Sequence, residues 1–306
     1  VHPFSALIVA TGLRPKRLQV SNGDLAGRHA VRTLDDAIAL RAELVPGANV
    51  VILGAGFIGC EVAATARLLG CSVTVVAPGS HPINRPLGRM LAAEIKRRHE
   101  AQGVQFRMKT TVEDLLGEDC VSGVILDSGE VLPCDVFIEA IGSHANTEWL
   151  EGNALDLTDG VLTDAALRAV RTDGSVVENV YAIGDVARFA NPIFDDVPRR
   201  VEHWNIPTDS AKRVGQVLAA QLAGEDASAL LAEAFAPIPS FWSDQYDIHL
   251  LAFGLLGLAD EIKLLHGEIE GDCVFGYYRE SKMVGVAGIG MRSTVQGYRS
   301  EFKLEG

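Results

Sequence analysis

Residues 49–76 read NVVILGAGFIGCEVAATARLLGCSVTVV, and their order decides the fold. Asn49 to Leu53 is a short apolar run, the pattern of a fully buried strand. GAGFIG follows as a turn. CEVAATARLLG then places apolar residues three and four apart, as on one face of a helix, and SVTVV reads as a second strand. Strand, crossover helix and parallel strand together make a βαβ unit. Each glycine of the turn has a physical reason to be there. Gly54 permits the tight bend, Gly56 leaves room for a pyrophosphate against the backbone, and Gly59 lets the helix pack close to the strand. Phosphate charge would then sit at a helix N-terminus, where free N–H groups and the helix dipole favour it. A lone GxGxxG is weak and could be an ordinary glycine-rich turn; the strand before it, and the helix and strand after it, favour a dinucleotide site.

The choice of dinucleotide stays open. NAD sites usually place an acidic residue about 20 positions on to hold the ribose hydroxyls, and NADP sites an Arg for the extra phosphate. Here that stretch reads VVAPGSHPINR: Ala77 holds the acidic place, with His81 and Arg85 downstream. Neither pattern is satisfied, so NAD is preferred without excluding NADP, and Arg85 remains a cofactor-binding candidate.

Strand-like runs alternate with helical stretches and glycine turns through about residue 145, the mark of a parallel α/β sheet. A helix closed by Gly103 shows Glu94, Lys96, Arg97, Arg98 and Glu100 on what reads as its outer face. VSGVILDSGEVLPCDVFIEAIG reads as strands joined by a DSGE turn, the last ending on AIG at Gly142. A second ligand signal lies in VENVYAIGDVARF. Its strand, Val180 to Ile183, ends in Gly184 and Asp185, and a long helix begins near Ile206. A carboxylate at the carboxyl end of a parallel strand lies where α/β folds bind ligands; it can equally cap the following turn.

With 306 residues, two or three modules are expected. A net charge of −13 argues against a general nucleic-acid binder. No apolar run approaches the roughly 20 residues of a membrane helix, and there is no signal-peptide pattern. Cys60, Cys71, Cys120, Cys134 and Cys273 are scattered without a CxxC pair, which suits a reducing cytoplasm and small core side chains better than a disulfide framework or metal site.

Six segments, ALIVATGLRP, GAGFIGCEVAA, EAIGSHANTEWL, NVYAIGDVA, VEHWNIPTDSAKRVG and FWSDQYDIHL, occur in the order found in flavin-dependent pyridine nucleotide reductases with two dinucleotide-binding domains. The chain resembles most the ferredoxin reductases of bacterial oxygenase systems, over practically its whole length. The resemblance implies an α/β protein with two Rossmann-like domains, an NAD domain inserted in a partial FAD domain, and a small α+β carboxyl-terminal domain. The expected division is 1–24 and 146–235 for FAD, 25–145 for NAD(P) and 236–306 for the last domain. It also implies that the opening stretch VHPFSALIVATGLRP is a flavin domain already under way, with a first GxGxxG unit expected upstream.

The resemblance assigns roles as well. Thr11 and Gly12 would lie beside FAD and Asp185, next to Gly184, would hold its ribitol. Gly54, Gly56 and Gly59 would cradle the NAD pyrophosphate, with Gly142 also at the cofactors. Glu61, read as first-turn in its helix, would approach the nicotinamide; the helix dipole alone would also favour a carboxylate there. Glu202, His203 and Trp204 would come up to the flavin ring, and Trp242 would lie next to it. The activity implied is transfer of electrons from NADH through FAD to a [2Fe-2S] ferredoxin. A local positive surface would steer an acidic ferredoxin, with Arg14, Lys16, Arg17, Arg199, Arg200, Lys212 and Arg213 as candidates and a merely solvated face as the alternative.

Within the same superfamily, a thioredoxin reductase is disfavoured by the missing CxxC. A disulfide reductase is disfavoured by the carboxyl end, which from about Pro237 reads as three or so antiparallel strands and a short helix without a His-Pro-Thr motif. NADH oxidase and the flavin module of a nitrite reductase remain, as does a truncated NAD-binding interaction module without flavin.

Overall fold

The structure is a computed structural model describing residues 3–303; Val1 and His2 of the opening stretch, and residues 304–306 at the other end, lie outside the described residues. Asn49–Leu53 is the centre of a five-stranded parallel sheet ordered Arg28–His29, Val136–Glu139, Asn49–Leu53, Ser72–Ala77, Gln105–Met108. Val50 to Leu53 are all buried, as a strand covered on both faces must be. One face packs against α1 (Leu34–Glu43) and α2 (Phe57–Leu68), where Leu40, Ala63 and Ala66 join Val50, Ile52 and Ile138. On the other face Val51, Leu53 and Phe137 meet the antiparallel sheet of Val112–Gly117, Val121–Leu126 and Val131–Pro133, whose last two strands flank the DSGE turn. Helix α1 starts on a capping box in which Asp36 N donates to Thr33 Oγ1 (3.1 Å) and Thr33 N donates to Asp36 Oδ2 (2.8 Å).

A second α/β unit is assembled from segments on either side of the first. Leu7–Val9 pairs in parallel with Val176–Ala182, and Arg168–Val170 pairs antiparallel on that strand's far side. Helix α4 (Asn205–Ala223) packs behind, with Ile206, Val214 and Val217 meeting Val9, Tyr181 and Val186. Between the two units the chain crosses twice, and the crossings pair: Leu13–Pro15 runs antiparallel to Ser143–Ala145, with Lys16 N donating to Gly142 O at 2.9 Å.

The carboxyl-terminal part is a five-stranded antiparallel sheet, not three strands: Ser240–Gln245, Ile248–Gly254, Lys282–Ile289, Cys273–Arg279 and Glu261–Gly267, followed by the helix Arg292–Gly297. Two apparent long strands each fold into a hairpin. The loops are Tyr246-Asp247 and Glu280-Ser281, in which Tyr246 (φ 55°), Glu280 (φ 51°) and Ser281 (φ 67°) take left-handed backbone without the Gly or Asn that signals such a turn.

Helix α3 (Asn84–Ala101) is broken at Gly88 (φ 73°, ψ 170°) and binds the first unit to this sheet: Leu87, Leu91 and Ile95 pack on Leu250, Phe275 and Tyr277. Its supposedly outer face is partly internal. Glu94 and Arg98 are buried as an ion pair at 2.8 Å, and Arg98 also donates to Gly271 O at 2.7 Å, so the helix needs charges there to meet the loop beneath it. Asp195 receives both Arg199 (2.5 Å) and Arg279 (2.8 Å), which hold its carboxyl down at about 2 and tie the hairpin of the second unit to the last sheet. Among the described residues no helix is long and apolar enough to cross a membrane.

Candidate functional site

The glycines at the entry to α2 divide into two kinds. A Cβ on Gly54 (φ 111°) would lie 2.2 Å from Ala140 O, and one on Gly59 would lie 2.1 Å from Gly54 O; both close the packing of turn, helix and sheet. A Cβ on Gly56 would meet nothing within 4 Å. Gly56 is also the N-cap of α2 and offers no side-chain acceptor to the N–H groups of the first turn. The turn therefore has an open side lined by backbone donors, and a pyrophosphate fits it. Ala77 closes its strand as a buried apolar residue, and Arg85 is exposed at the start of α3, next to Pro86, which shares a cavity with His203 and Phe241.

Around the second unit the structure draws together most of the remaining candidates. Thr11 Oγ1 donates to Asn146 O (2.7 Å), and Asn146 Nδ2 returns a bond to Thr11 O (2.9 Å), fixing the ATG loop across the crossing strands. Gly12 (φ 60°), Gly142 (φ 93°) and Gly184 (φ 68°) all adopt left-handed backbone. Gly184 N donates to Ser210 Oγ in α4 (3.1 Å). Asp185 faces Arg32 across 3.3 Å, and the same guanidinium lies 3.6 Å from where a Gly12 side chain would begin. Sequence reasoning missed Arg32: it lies outside every motif, just before the Thr33 cap. Glu202 accepts from Ser143 Oγ (3.1 Å) and from Arg200 (2.9 Å), which joins the return crossing to the VEHW segment.

The third grouping joins all three parts of the chain. Trp204 and Trp242 are exposed and stacked, ring centroids 6.4 Å apart. Behind them His203 lies 5.0 Å from Phe241, which lies 4.8 Å from Phe57 of α2. Burial pushes His203 down to about 4, and its buried Nδ1 has no partner among the described residues, a nitrogen that a bound group can satisfy. Glu61 reaches the same place, but from the fifth position of α2 rather than its first turn, so the dipole does not account for it. Its carboxylate accepts from Ser243 Oγ at 2.5 Å, and burial raises its pKa, opposed by that bond and reinforced by Asp244. Phe57, Phe241 and Ser243 were not singled out in the sequence; the alternation of Ser240–Gln245, two residues per repeat, is the signal that places 241 and 243 on one side.

Of the seven basic side chains proposed for docking, five face carboxylates. Arg14 pairs with Glu148, Arg17 with Glu139 (2.8 Å), Arg199 with Asp195 (2.5 Å), Arg200 with Asp159 (2.7 Å) and Glu202 (2.9 Å), and Arg213 with Glu233 (3.3 Å). Among the described residues Lys16 and Lys212 have no carboxylate partner. No described group of three or more His, Cys, Asp or Glu side chains is arranged for a metal, and all five cysteines are free thiols, four of them buried.

A dinucleotide cradle beside a second α/β unit, with aromatic side chains between them, defines a pyridine nucleotide oxidoreductase. Residues 2–221 match the family described as pyridine nucleotide-disulphide oxidoreductase, and residues 240–303 match the reductase C-terminal family. The ferredoxin–NAD(+) reductase component of the anthranilate 1,2-dioxygenase system of Burkholderia cepacia is 34% identical over 94% of this chain and 67% of its own length. Rhodocoxin reductase of Rhodococcus erythropolis is 34% identical over 84% of this chain and 56% of its own length. Putidaredoxin reductase, in its covalent complex with putidaredoxin, superposes with a TM-score of 0.86 at 27% identity, over 97% of this chain and 69% of that one. This chain belongs to the pyridine nucleotide-disulphide oxidoreductase family, in its ferredoxin–NAD(+) reductase branch. It spans 56% to 68% of the length of the first three such relatives.

Proposed function

We propose that this chain works as the nicotinamide-binding and flavin-facing part of an NADH-dependent reductase that delivers electrons to a [2Fe-2S] ferredoxin. One observation carries the reading: Glu61 of the nucleotide unit, His203 of the second unit and Phe241–Trp242 of the last sheet converge on one place beside the Gly56 cradle. FAD, when bound, accepts a hydride from NADH and releases electrons singly, which a nicotinamide does not readily do. The residues supply placement. Backbone N–H groups after Gly56 hold the pyrophosphate, Glu61 orients the nicotinamide end, and Gly12, Gly184 and Asp185 line the flavin chain with Arg32. His203, neutral at pH 7, turns a buried Nδ1, unpartnered among the described residues, to the site, and it serves alignment rather than proton transfer. Gly142 O accepts from Lys16 N and Glu202 from Ser143 Oγ, and both support the crossing strands. NADP stays open because no carboxylate occupies position 77.

The reading keeps the domain division 1–24 with 146–235, 25–145 and 236–306, supported by the three separate main sheets, although Leu18 and Val20 pack on the core of the first unit. Unpaired thiols support a cytoplasmic location. The buried Cys60, raised to about 12, is no nucleophile, which disfavours thiol chemistry at this helix. Mixing the flavin-loaded protein with NADH and, separately, a [2Fe-2S] ferredoxin, oxygen or a disulfide tests the assignment by stopped-flow absorbance. Fast turnover with the ferredoxin is expected. Fast turnover with only oxygen, or with only the disulfide, would sink it in favour of an oxidase or disulfide reductase.

A further inference from the structure

The strand Ser240–Gln245 buries the wrong kind of residue. Phe241, Ser243 and Gln245 share its inward face, and Ser243 and Gln245 are each only 1% exposed. Polar side chains at such positions are costly unless every group is hydrogen-bonded. Here they form a directed chain. His99 of α3, fully buried, places Nε2 2.7 Å from Gln245 Oε1; Gln245 Nε2 donates to Ser243 Oγ at 2.8 Å; Ser243 Oγ donates to Glu61 Oε1 at 2.5 Å. The direction is fixed from the acidic end, because an ionised carboxylate can only accept. Ser243 must then give its proton to Glu61 and take one from the amide of Gln245. That leaves the amide oxygen facing His99, which must carry its proton on Nε2. Burial lowers the pKa of His99, and the rings of Phe106 (6.0 Å) and Tyr246 (5.2 Å) flank it, so the neutral imidazole is held in one tautomer.

We propose that Ser243 and Gln245, anchored by His99, are positioning residues that aim the Glu61 carboxylate at the nicotinamide, so that the last sheet sets the geometry of a site carried by the nucleotide unit. This rests on the placement of Glu61 at the nicotinamide end. The carboxylate stands on a helix that also forms the pyrophosphate cradle, yet what restrains its rotamer comes from the last sheet.

The test compares NAD+ with ADP-ribose, which lacks the nicotinamide, by calorimetric titration of the flavin-loaded protein. S243A should weaken NAD+ binding by roughly tenfold, the worth of one hydrogen bond to a charged group, and leave ADP-ribose unchanged. Q245L should do the same in part, and S243T, which keeps the hydroxyl, should restore wild-type affinity. In the E61Q background S243A should add almost nothing, since Ser243 acts through Glu61. Equal losses for both ligands, or a full additional loss in the E61Q background, would overturn the positioning role and leave Ser243 a packing residue. If E61Q alone leaves NAD+ affinity unchanged while S243A weakens it, the placement of Glu61 is what fails, and the proposal falls with it.

Discussion

His203 is the residue where burial and chemistry most directly meet. Its pKa of about 4, against an ordinary 6.5, means that the unfolded chain takes up the proton first as the solution is acidified. Stability from keeping this imidazole neutral is complete above about pH 6.5 and declines as the pH falls towards 4, by up to roughly 3 kcal/mol. Replacing it with Phe, beside Phe241, should therefore flatten the acid limb: the urea midpoint should fall less between pH 7 and 4.5 in H203F than in the wild type. Equal falls would show that the proton goes elsewhere. The residue stood out in the sequence only because VEHW matched a family pattern. Its isolation from polar partners arises from Phe241, 38 positions away, which no local reading could supply.

At the scale of the element, the entry to α2 makes a sharp contrast between neighbouring glycines. G56A adds a methyl into open space and should change the melting temperature little, while obstructing the pyrophosphate and weakening NAD+ binding tenfold or more. G59A drives a methyl towards Gly54 O, and its cost should be about 3 kcal/mol or more in urea unfolding. If G56A binds NAD+ normally, the open side of the turn is not the phosphate site. This unit was legible because its signals are local: an apolar run, glycines at set spacing and a helical repeat. The carboxyl-terminal hairpins were not, because Tyr246-Asp247 and Glu280-Ser281 turn the chain without turn-forming glycines, and the strands around them enforce the bend. Glu94 and Arg98 misled for a related reason: charge normally marks a wet helix face, and here the wet face is covered by the loop at Gly271.

For the whole molecule, the distribution of charge bears on how the proposed ferredoxin would be met. The chain carries a net −13, and most arginines near the site already face carboxylates. What protrudes beside the cofactor region is the indole pair, with Trp204 78% and Trp242 52% exposed. For the ferredoxin proposed above, an indole pair at the edge of the flavin-facing region favours aromatic contact over long-range steering. Raising NaCl from 50 to 300 mM should thus lower kcat/KM for an acidic ferredoxin by less than about threefold, whereas W204A should lower it about tenfold or more. A steep salt dependence abolished by K16E or K212E would restore the electrostatic dock.

The pair of crossing strands has a practical consequence. Because Lys16 N and Gly142 O are 2.9 Å apart, everything between them leaves and rejoins the rest of the protein at one clasp. A cassette bounded there can be exchanged for the corresponding stretch of a relative with a different nicotinamide preference, with no change in the gap the host chain has to bridge. The graft has to bring compatible partners for two seams, Arg32 against Asp185 and the contact of α3 and Glu61 with the last sheet. On the proposed assignment, coenzyme choice travels with this cassette, and the limit on moving it is the fit of those seams rather than the chemistry of the pocket.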